Sequence, residues 1–103
     1  MSLRLVCLHG FTQNGQLLSG QLAAISARLP SDVELVCPDA PHDCAPASVR
    51  RLAEMFRMEP PPPPHRCWWD ASDDGSEYRG WEMSREQLRA LCEHPGRVGL
   101  LGF

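Results

Sequence analysis

Three short apolar segments, separated by stretches with helical spacing, dominate the hydrophobic pattern of this chain. Leu3–Leu8 is an almost unbroken apolar run without alternation, which predicts a strand buried on both faces. Val33–Cys37 and Arg97–Leu101 repeat this pattern, and each predicts a further strand. Because the strands alternate with helical segments, the sequence predicts an α/β fold with three parallel strands and right-handed crossovers.

Three helices are predicted between these strands. The first starts after Asn14, a good N-cap residue, and runs to about Leu29 with one apolar stripe. The stripe consists of Leu18, Leu22, Ile25 and Leu29. A second helix is predicted over 47–57. The third opens with the capping-box pattern Ser84-Arg85-Glu86-Gln87 and runs to about Cys92.

The connecting segments are rich in proline and in acidic residues. Pro38–His42 is predicted to be a loop, because its two prolines suit neither a helix nor a sheet ladder. Pro60–Pro64 predicts an extended polyproline spacer. An acidic, turn-prone segment follows over 70–75. We therefore expect one domain over 1–103, with an irregular proline-rich and acidic region over 43–81.

Composition and charge exclude several classes of protein. The chain is 43% hydrophobic, which argues against disorder throughout. Its net charge is −3 and its ten basic residues are scattered, so no nucleic-acid partner is predicted. No apolar run is long enough to span a bilayer, and the sequence before Leu3 does not predict a signal peptide. We expect no membrane partner and a cytoplasmic location that can extend to the nucleus.

The five cysteines indicate a reducing environment. Cys7 and Cys37 lie inside predicted strands, where a reduced cysteine behaves as a small apolar side chain. We therefore predict no disulfides, and a bridge between Cys37 and Cys44 is the alternative that stays open. The spacing of the cysteines and histidines over 37–67 matches no common zinc site. No metal and no cofactor are predicted.

His9-Gly10-Phe11 directly follows the first predicted strand and is the strongest chemical candidate. In serine hydrolases of the α/β type, the turn after such a strand provides one backbone N–H of the oxyanion hole. Glycine allows the tight turn that presents this N–H. We interpret the backbone as the functional part and the His9 side chain as a structural hydrogen-bonding group. An ordinary turn from strand to helix is the alternative.

Nucleotide binding is not supported by the glycines of this segment. Gly10 and Gly15 have the spacing of a phosphate loop, but Gln16-Leu17 stands where lysine and serine or threonine are required. Asp39 and His42 are close in sequence, which is not the geometry that a catalytic triad needs. An ordered loop beside the site is the preferred interpretation of this pair.

Two further features leave alternatives open. Trp68 and Trp69 either line an acyl or leaving-group pocket or pack their loop onto the domain. No serine stands in a Gly-x-Ser-x-Gly nucleophile elbow, and no cysteine is paired by the sequence with a histidine that could activate it.

Five motifs along the chain resemble one known family. They are Leu-His-Gly-Phe-Thr-Gln-Asn-Gly at 8–15, Glu-Leu-Val-Cys-Pro-Asp-Ala-Pro-His at 34–42, Trp-Trp at 68–69, Tyr78 with Gly80, and Gly-Leu-Leu-Gly-Phe at 99–103. In this order they resemble the FSH1-type serine hydrolase family, over essentially the whole chain. The region 43–66, which contains the run of five prolines at 60–64, has no clear counterpart in that family.

The resemblance implies the N-terminal part of an α/β-hydrolase fold, a small-molecule carboxylic ester as substrate, and a Ser-Asp-His triad that works through an acyl-enzyme. In the family the nucleophile follows the last Gly-Phe at once, which places the serine directly after Phe103. The chain alone is then expected to be inactive, and the Phe11 N–H to be one oxyanion donor. The residues expected around the substrate are Gln13, Asn14, His42, Trp68 and Trp69. A non-catalytic, partner-binding form is the alternative, and the oligomeric state stays open.

Overall fold

The computed structural model describes residues 2–72 and 74–102. Predictions that involve Asp73 in the acidic turn and Phe103 in the last motif lie outside the described residues. The elements are β1 (Leu3–Leu8), α1 (Gly15–Gln21), α2 (Ala23–Ser26), β2 (Val33–Val36), β3 (His42–Asp43), α3 (Pro46–Phe56), β4 (Arg66–Cys67), β5 (Asp70–Ala71), β6 (Tyr78–Arg79), α4 (Trp81–Cys92) and β7 (Arg97–Gly102).

A parallel three-stranded sheet, with β1 between β2 and β7, organises the fold. Leu3 is in register with Val33 on one side and with Arg97 on the other. Val6 and Cys7 are fully buried, as expected for a central strand covered on both faces. The predicted α/β fold with three parallel strands is therefore confirmed. The segment after β1 lies at the carboxyl edge of the sheet, where ligands of such sheets bind.

The predicted first helix is confirmed at its start and wrong in its second half. Leu18 and Leu22 are buried against the sheet, next to Cys7. The backbone leaves helical geometry at Leu22, with φ of −94° and ψ of 2°, and the short α2 follows. Ile25 is 58% exposed and does not continue the apolar stripe. The apolar periodicity identified the stripe, but of its residues Leu18 and Leu22 form the part that is buried against the sheet.

The start of α1 is fixed by contacts with the loop after β2. The side chain of Asn14 caps α1, since its Oδ1 accepts a hydrogen bond from Leu17 N at 2.8 Å. Gly15 N donates to Asp39 Oδ1 at 2.7 Å. A Cβ at Gly15 would overlap the carbonyl oxygen of Cys37. Helix and strand end therefore approach each other at a distance that only glycine permits.

The region over 43–81 contains more regular structure than predicted. β3 pairs with β4 and β5 pairs with β6, both antiparallel. His42, predicted as loop, begins β3, and Asp70–Ala71, predicted as part of a turn, forms β5. β3 and β4 pair across a long stretch of chain, which a local pattern cannot show, whereas β5 and β6 form a local hairpin whose short strands carry no clear alternating pattern. The assignment of 1–103 to one domain stays a prediction.

The proline run is not an extended spacer. Its chain bends at 62–63, and the peptide bond between Pro63 and Pro64 is cis. Asn14 Nδ2 donates to Pro62 O at 3.3 Å and to Pro64 O at 3.0 Å. The run therefore packs against the start of α1, because one amide group binds two of its carbonyl groups.

The predicted capping box of the third helix is wrong. α4 begins at Trp81, after Gly80 with φ of 91°, and Ser84 lies inside the helix. Ser84 is fully buried, and its Oγ donates to the carbonyl oxygen of Trp68. The Ser84 hydroxyl group therefore binds the loop that contains Trp68 and does not cap the helix. Leu88 on the same helix is also buried.

Candidate active site

A tight turn over Gly10–Gln13 follows β1. Gly10 O accepts a hydrogen bond from Gln13 N at 3.1 Å, which closes a four-residue turn. Of its two central residues, Thr12 has φ of 71°, whereas Phe11 is not among the residues with positive φ. A negative φ followed by a positive φ is the signature of a type II turn.

The backbone N–H groups of this turn differ in their partners. Gly10 N donates to Gln13 Oε1 at 3.3 Å, and Thr12 N donates to Arg66 O at 3.1 Å. Within residues 2–72 and 74–102, the Phe11 N–H donates to no protein acceptor. The residue as a whole is 40% exposed, and a backbone N–H without a protein acceptor is expected to bind an acceptor from outside the chain.

The backbone conformation of Thr12 is unfavourable by itself, because a β-branched residue rarely adopts a positive φ. Two backbone hydrogen bonds stabilise it: Thr12 N donates to Arg66 O, and Arg66 N donates to Gln13 O at 2.9 Å. The Arg66 side chain also forms an ion pair with Asp43, and its Nε donates to Ala40 O at 2.8 Å. Arg66 therefore holds the turn against the segment that follows β2.

His9 is buried and both of its ring nitrogens are hydrogen-bonded. Its Nε2 accepts from Ala40 N at 3.0 Å, and its Nδ1 lies 2.8 Å from Gly10 O. Because Nε2 accepts and the carbonyl can only accept, the proton of the neutral ring is on Nδ1. His9 is 2% exposed, and these bonds leave no nitrogen free to accept a substrate proton. The side chain fixes the start of the turn.

Trp68 connects α4 to this turn. Its Nε1 donates to His9 O at 2.9 Å, and its ring lies 5.1 Å from the His9 ring. Its own carbonyl accepts the hydrogen bond from Ser84 described above. Arg66 and Ser84 could not be identified as supports from local sequence patterns, because their partners lie far away along the chain.

A cavity of about 410 Å³ lies beside the turn and is here called the tryptophan cavity. It is lined by His9, Gly10, Phe11, Trp68, Trp69, Asp70 and Ala71. The structure thus brings the candidate turn and both tryptophans together. Its size falls in the range of small-molecule pockets. Sequence reasoning missed Asp70 and Ala71, which reach this wall only because β5 pairs with β6.

A second cavity, of about 290 Å³, lies between α1 and α3 and is here called the helix cavity. It includes Leu17 from α1, and Val49, Leu52 and Phe56 from α3. Phe11 lines both cavities.

The remaining predicted substrate contacts lie elsewhere. Gln13 lines the helix cavity, and Asn14 is buried as the cap of α1. His42 lies in a third cavity and forms a hydrogen bond of 2.8 Å with Gly80 O. Asp39 binds Gly15 N, so Asp39 and His42 contact different elements. Contact of these residues with a substrate stays a prediction.

One serine is hydrogen-bonded to a histidine, far from the turn. Ser2 Oγ lies 3.1 Å from His94 Nε2, just before β1 and β7 begin, at the amino edge of the sheet. In the part of the chain that the structure describes, no group of three or more metal-ligating side chains is arranged around a metal site. No helix among the same residues is both long and apolar enough to cross a bilayer.

All five cysteines are free, and four of them lie in two adjoining pairs. Cys37 adjoins Cys7, and Cys44 adjoins Cys67, so the alternative bridge between Cys37 and Cys44 is not formed. Burial raises the pKa of the Cys44 thiol to about 12, and the neighbouring Cys67 adds to this. Burial likewise raises the pKa of Cys7 to about 11. These thiols are protonated at neutral pH and are poor nucleophiles.

We expect iodoacetamide to alkylate Cys44 at about pH 8 on the order of 10²-fold more slowly in the folded chain than in urea. Folding raises the pKa of the Cys44 thiol. The contribution of the protonated thiol to the free energy of unfolding is therefore complete below about pH 9 and is lost as the pH rises towards 12. Peptide mapping after timed alkylation measures the rate. Equal rates in folded and unfolded chains would contradict the prediction.

The chain is similar in sequence to known proteins over nearly its whole length. The family model described as serine hydrolase (FSH1) matches residues 1–103. The chain is 28% identical to Esterase OVCA2 of Danio rerio over 114 residues, which cover 98% of the chain and 50% of that protein. It is 34% identical to Esterase CG5412 of Drosophila melanogaster over 111 residues, covering 97% of the chain and 36% of that protein.

The chain covers a smaller share of a third relative. The chain is 28% identical over 118 residues to Rhodanese-like domain-containing protein 6 of Arabidopsis thaliana, covering 98% of the chain and 20% of that protein. The chain thus spans half or less of the length of these curated relatives.

Proposed function

Because this chain belongs to the FSH1 serine hydrolase family, we propose that it forms the oxyanion-hole side of a serine esterase site with a carboxylic ester as substrate. The observation that carries the proposal is that Phe11 lines the tryptophan cavity and that its N–H lacks a protein acceptor among the described residues. The esterase names of two relatives support the same reaction class.

The reaction proposed is acyl transfer through a covalent intermediate. A serine of the complete esterase attacks the ester carbonyl carbon, and the carbonyl oxygen becomes negatively charged. The Phe11 N–H donates to this oxygen, and a second N–H comes from the residue after the serine. The alcohol leaves, and water then releases the acid. His9, Arg66 and Trp68 hold the turn, so the donor is in place before the charge develops.

The 103-residue chain by itself is proposed to be inactive, since none of its serines stands in a nucleophile elbow. The test compares this chain with a completed protein, in which the part of zebrafish Esterase OVCA2 that follows its matching region is joined after residue 103. We expect nitrophenyl-ester turnover and fluorophosphonate labelling of one serine in the completed protein, and neither in the chain alone.

Two controls make this comparison decisive. A cooperative thermal melt shows that each protein is folded before activity is measured. Ser2→Ala removes the one serine–histidine pair found among the described residues and should leave turnover of the completed protein unchanged. Stoichiometric labelling of the chain alone, at Ser2 or elsewhere, would show that the nucleophile is already present. A folded completed protein without turnover would contradict the esterase assignment.

A partner-binding role is the second candidate, and it rests on β7. In the described residues this strand pairs only with β1, and its Leu100 and Leu101 are 63% and 40% exposed. An open strand edge with apolar side chains can pair with another chain. Sedimentation of the 103-residue chain tests this: a stable, soluble dimer or complex favours binding, whereas a monomer favours the esterase interpretation.

A further inference from the structure

The tryptophan cavity carries features that ester hydrolysis alone does not explain. Of its seven lining residues, Asp70 is the only one with a formal charge, since His9 is neutral and no lysine or arginine lines the wall. Asp70 Oδ1 accepts a hydrogen bond from Ala71 N at 2.8 Å, which fixes the carboxylate beside the cavity. The cavity is therefore suited to a positively charged group.

Two indole rings add to this preference. Trp68 is held by its bond to His9 O, and Trp69 is 46% exposed. The Trp69 ring contacts Tyr78 with a centroid distance of 5.3 Å and an angle of 64°, an edge arrangement that steadies it. The face of a tryptophan ring carries negative charge density and attracts cations more strongly than that of any other side chain.

Two arginines close to Asp70 in the fold do not form an ion pair with it. Arg79 is its partner across the β5–β6 ladder and lines another cavity with it. Arg66, close in sequence, pairs with Asp43 instead. Among the described residues, Asp70 forms no ion pair with Arg66 or Arg79.

We propose that the tryptophan cavity binds a quaternary ammonium group through Trp68, Trp69 and Asp70. Aromatic rings combined with a carboxylate are the means by which proteins recognise such groups. In a substrate, this group would belong to the part of the ester that extends from Phe11 towards the tryptophans. That extension rests on the proposed function, whereas binding of the ammonium group does not require it.

The test uses the 103-residue chain and two probes of equal shape. These are choline and its neutral analogue, in which carbon replaces the quaternary nitrogen. Tryptophan fluorescence is titrated with each at constant low ionic strength. We expect choline to bind roughly threefold to tenfold more tightly than the analogue. Since no nucleophile is involved, absence of esterase activity would leave this result unaffected.

Substitutions at individual residues test which side chains cause the preference for choline. Asp70→Asn keeps an acceptor for Ala71 N but removes the charge, and should abolish the preference for choline. Trp69→Leu should weaken choline binding to a similar extent. The matched controls are Asp74→Asn on the same hairpin and Trp81→Leu on α4, which line no part of this cavity and should bind as the parent chain does. Equal affinity for both probes, no saturable binding, or a preference that survives in Asp70→Asn would overturn the proposal.

Discussion

Replacing Phe11 by proline is expected to lower kcat of the completed protein by about 10²–10³-fold, the usual cost of losing one oxyanion donor. Proline has no N–H, and its fixed φ suits the first central position of a type II turn. The substitution therefore removes the donor while the backbone of Gly10–Gln13 keeps its shape. The N–H of Thr12 and that of Gln13 remain bonded to their own acceptors.

Phe11→Ala is the matched variant, because it removes the same ring but keeps the N–H. The ratio of kcat between the alanine and proline variants therefore measures the contribution of the donor alone. Thermal melts of both variants report whether the turn is intact. We expect the loss in the proline variant to appear in kcat more than in KM, since the bond strengthens as the oxyanion forms. Equal kcat values in the two variants would exclude Phe11 N–H as a donor.

The second large effect is expected for Gly15→Ala, with a loss of about 2–3 kcal/mol in the free energy of unfolding. The new Cβ would overlap the carbonyl oxygen of Cys37, which is backbone and cannot move aside as a flexible side chain would. To relieve the overlap, α1 must move away from the end of β2. That movement also weakens the bond from Gly15 N to Asp39.

Gly20→Ala is the control for this prediction, because Gly20 lies in the same helix with no atom within 4 Å of an added Cβ. There alanine should raise the free energy of unfolding by about 0.5–1 kcal/mol, since it restricts the unfolded chain and favours the helix. Urea denaturation of both variants measures the two changes. An increase in the free energy of unfolding in both variants would show that the close approach at Gly15 does not require glycine.

Local sequence patterns predicted the sheet well and the loops poorly. β1 was predicted with its observed bounds, because an uninterrupted apolar run is sufficient to identify a buried strand. Ser84 was misassigned, since its pattern matches a capping box while its hydroxyl is bound by Trp68 O, 16 residues away. The proline run was misassigned for a similar reason: its bend depends on Asn14, 48 and 50 residues away along the chain.

The parallel α/β sheet and the tight turn after β1 could be predicted from local patterns, because both follow from apolar runs and from a glycine at a strand end. Which N–H of that turn lacks a protein acceptor depends on tertiary contacts, since hydrogen bonds with Arg66, Trp68 and Ala40 occupy the groups around it. The tryptophan cavity was likewise a tertiary result. Its wall forms where the Trp68–Ala71 segment meets the turn after β1, and a contact such as that between Trp68 and His9, 59 residues apart, cannot be deduced from local periodicity.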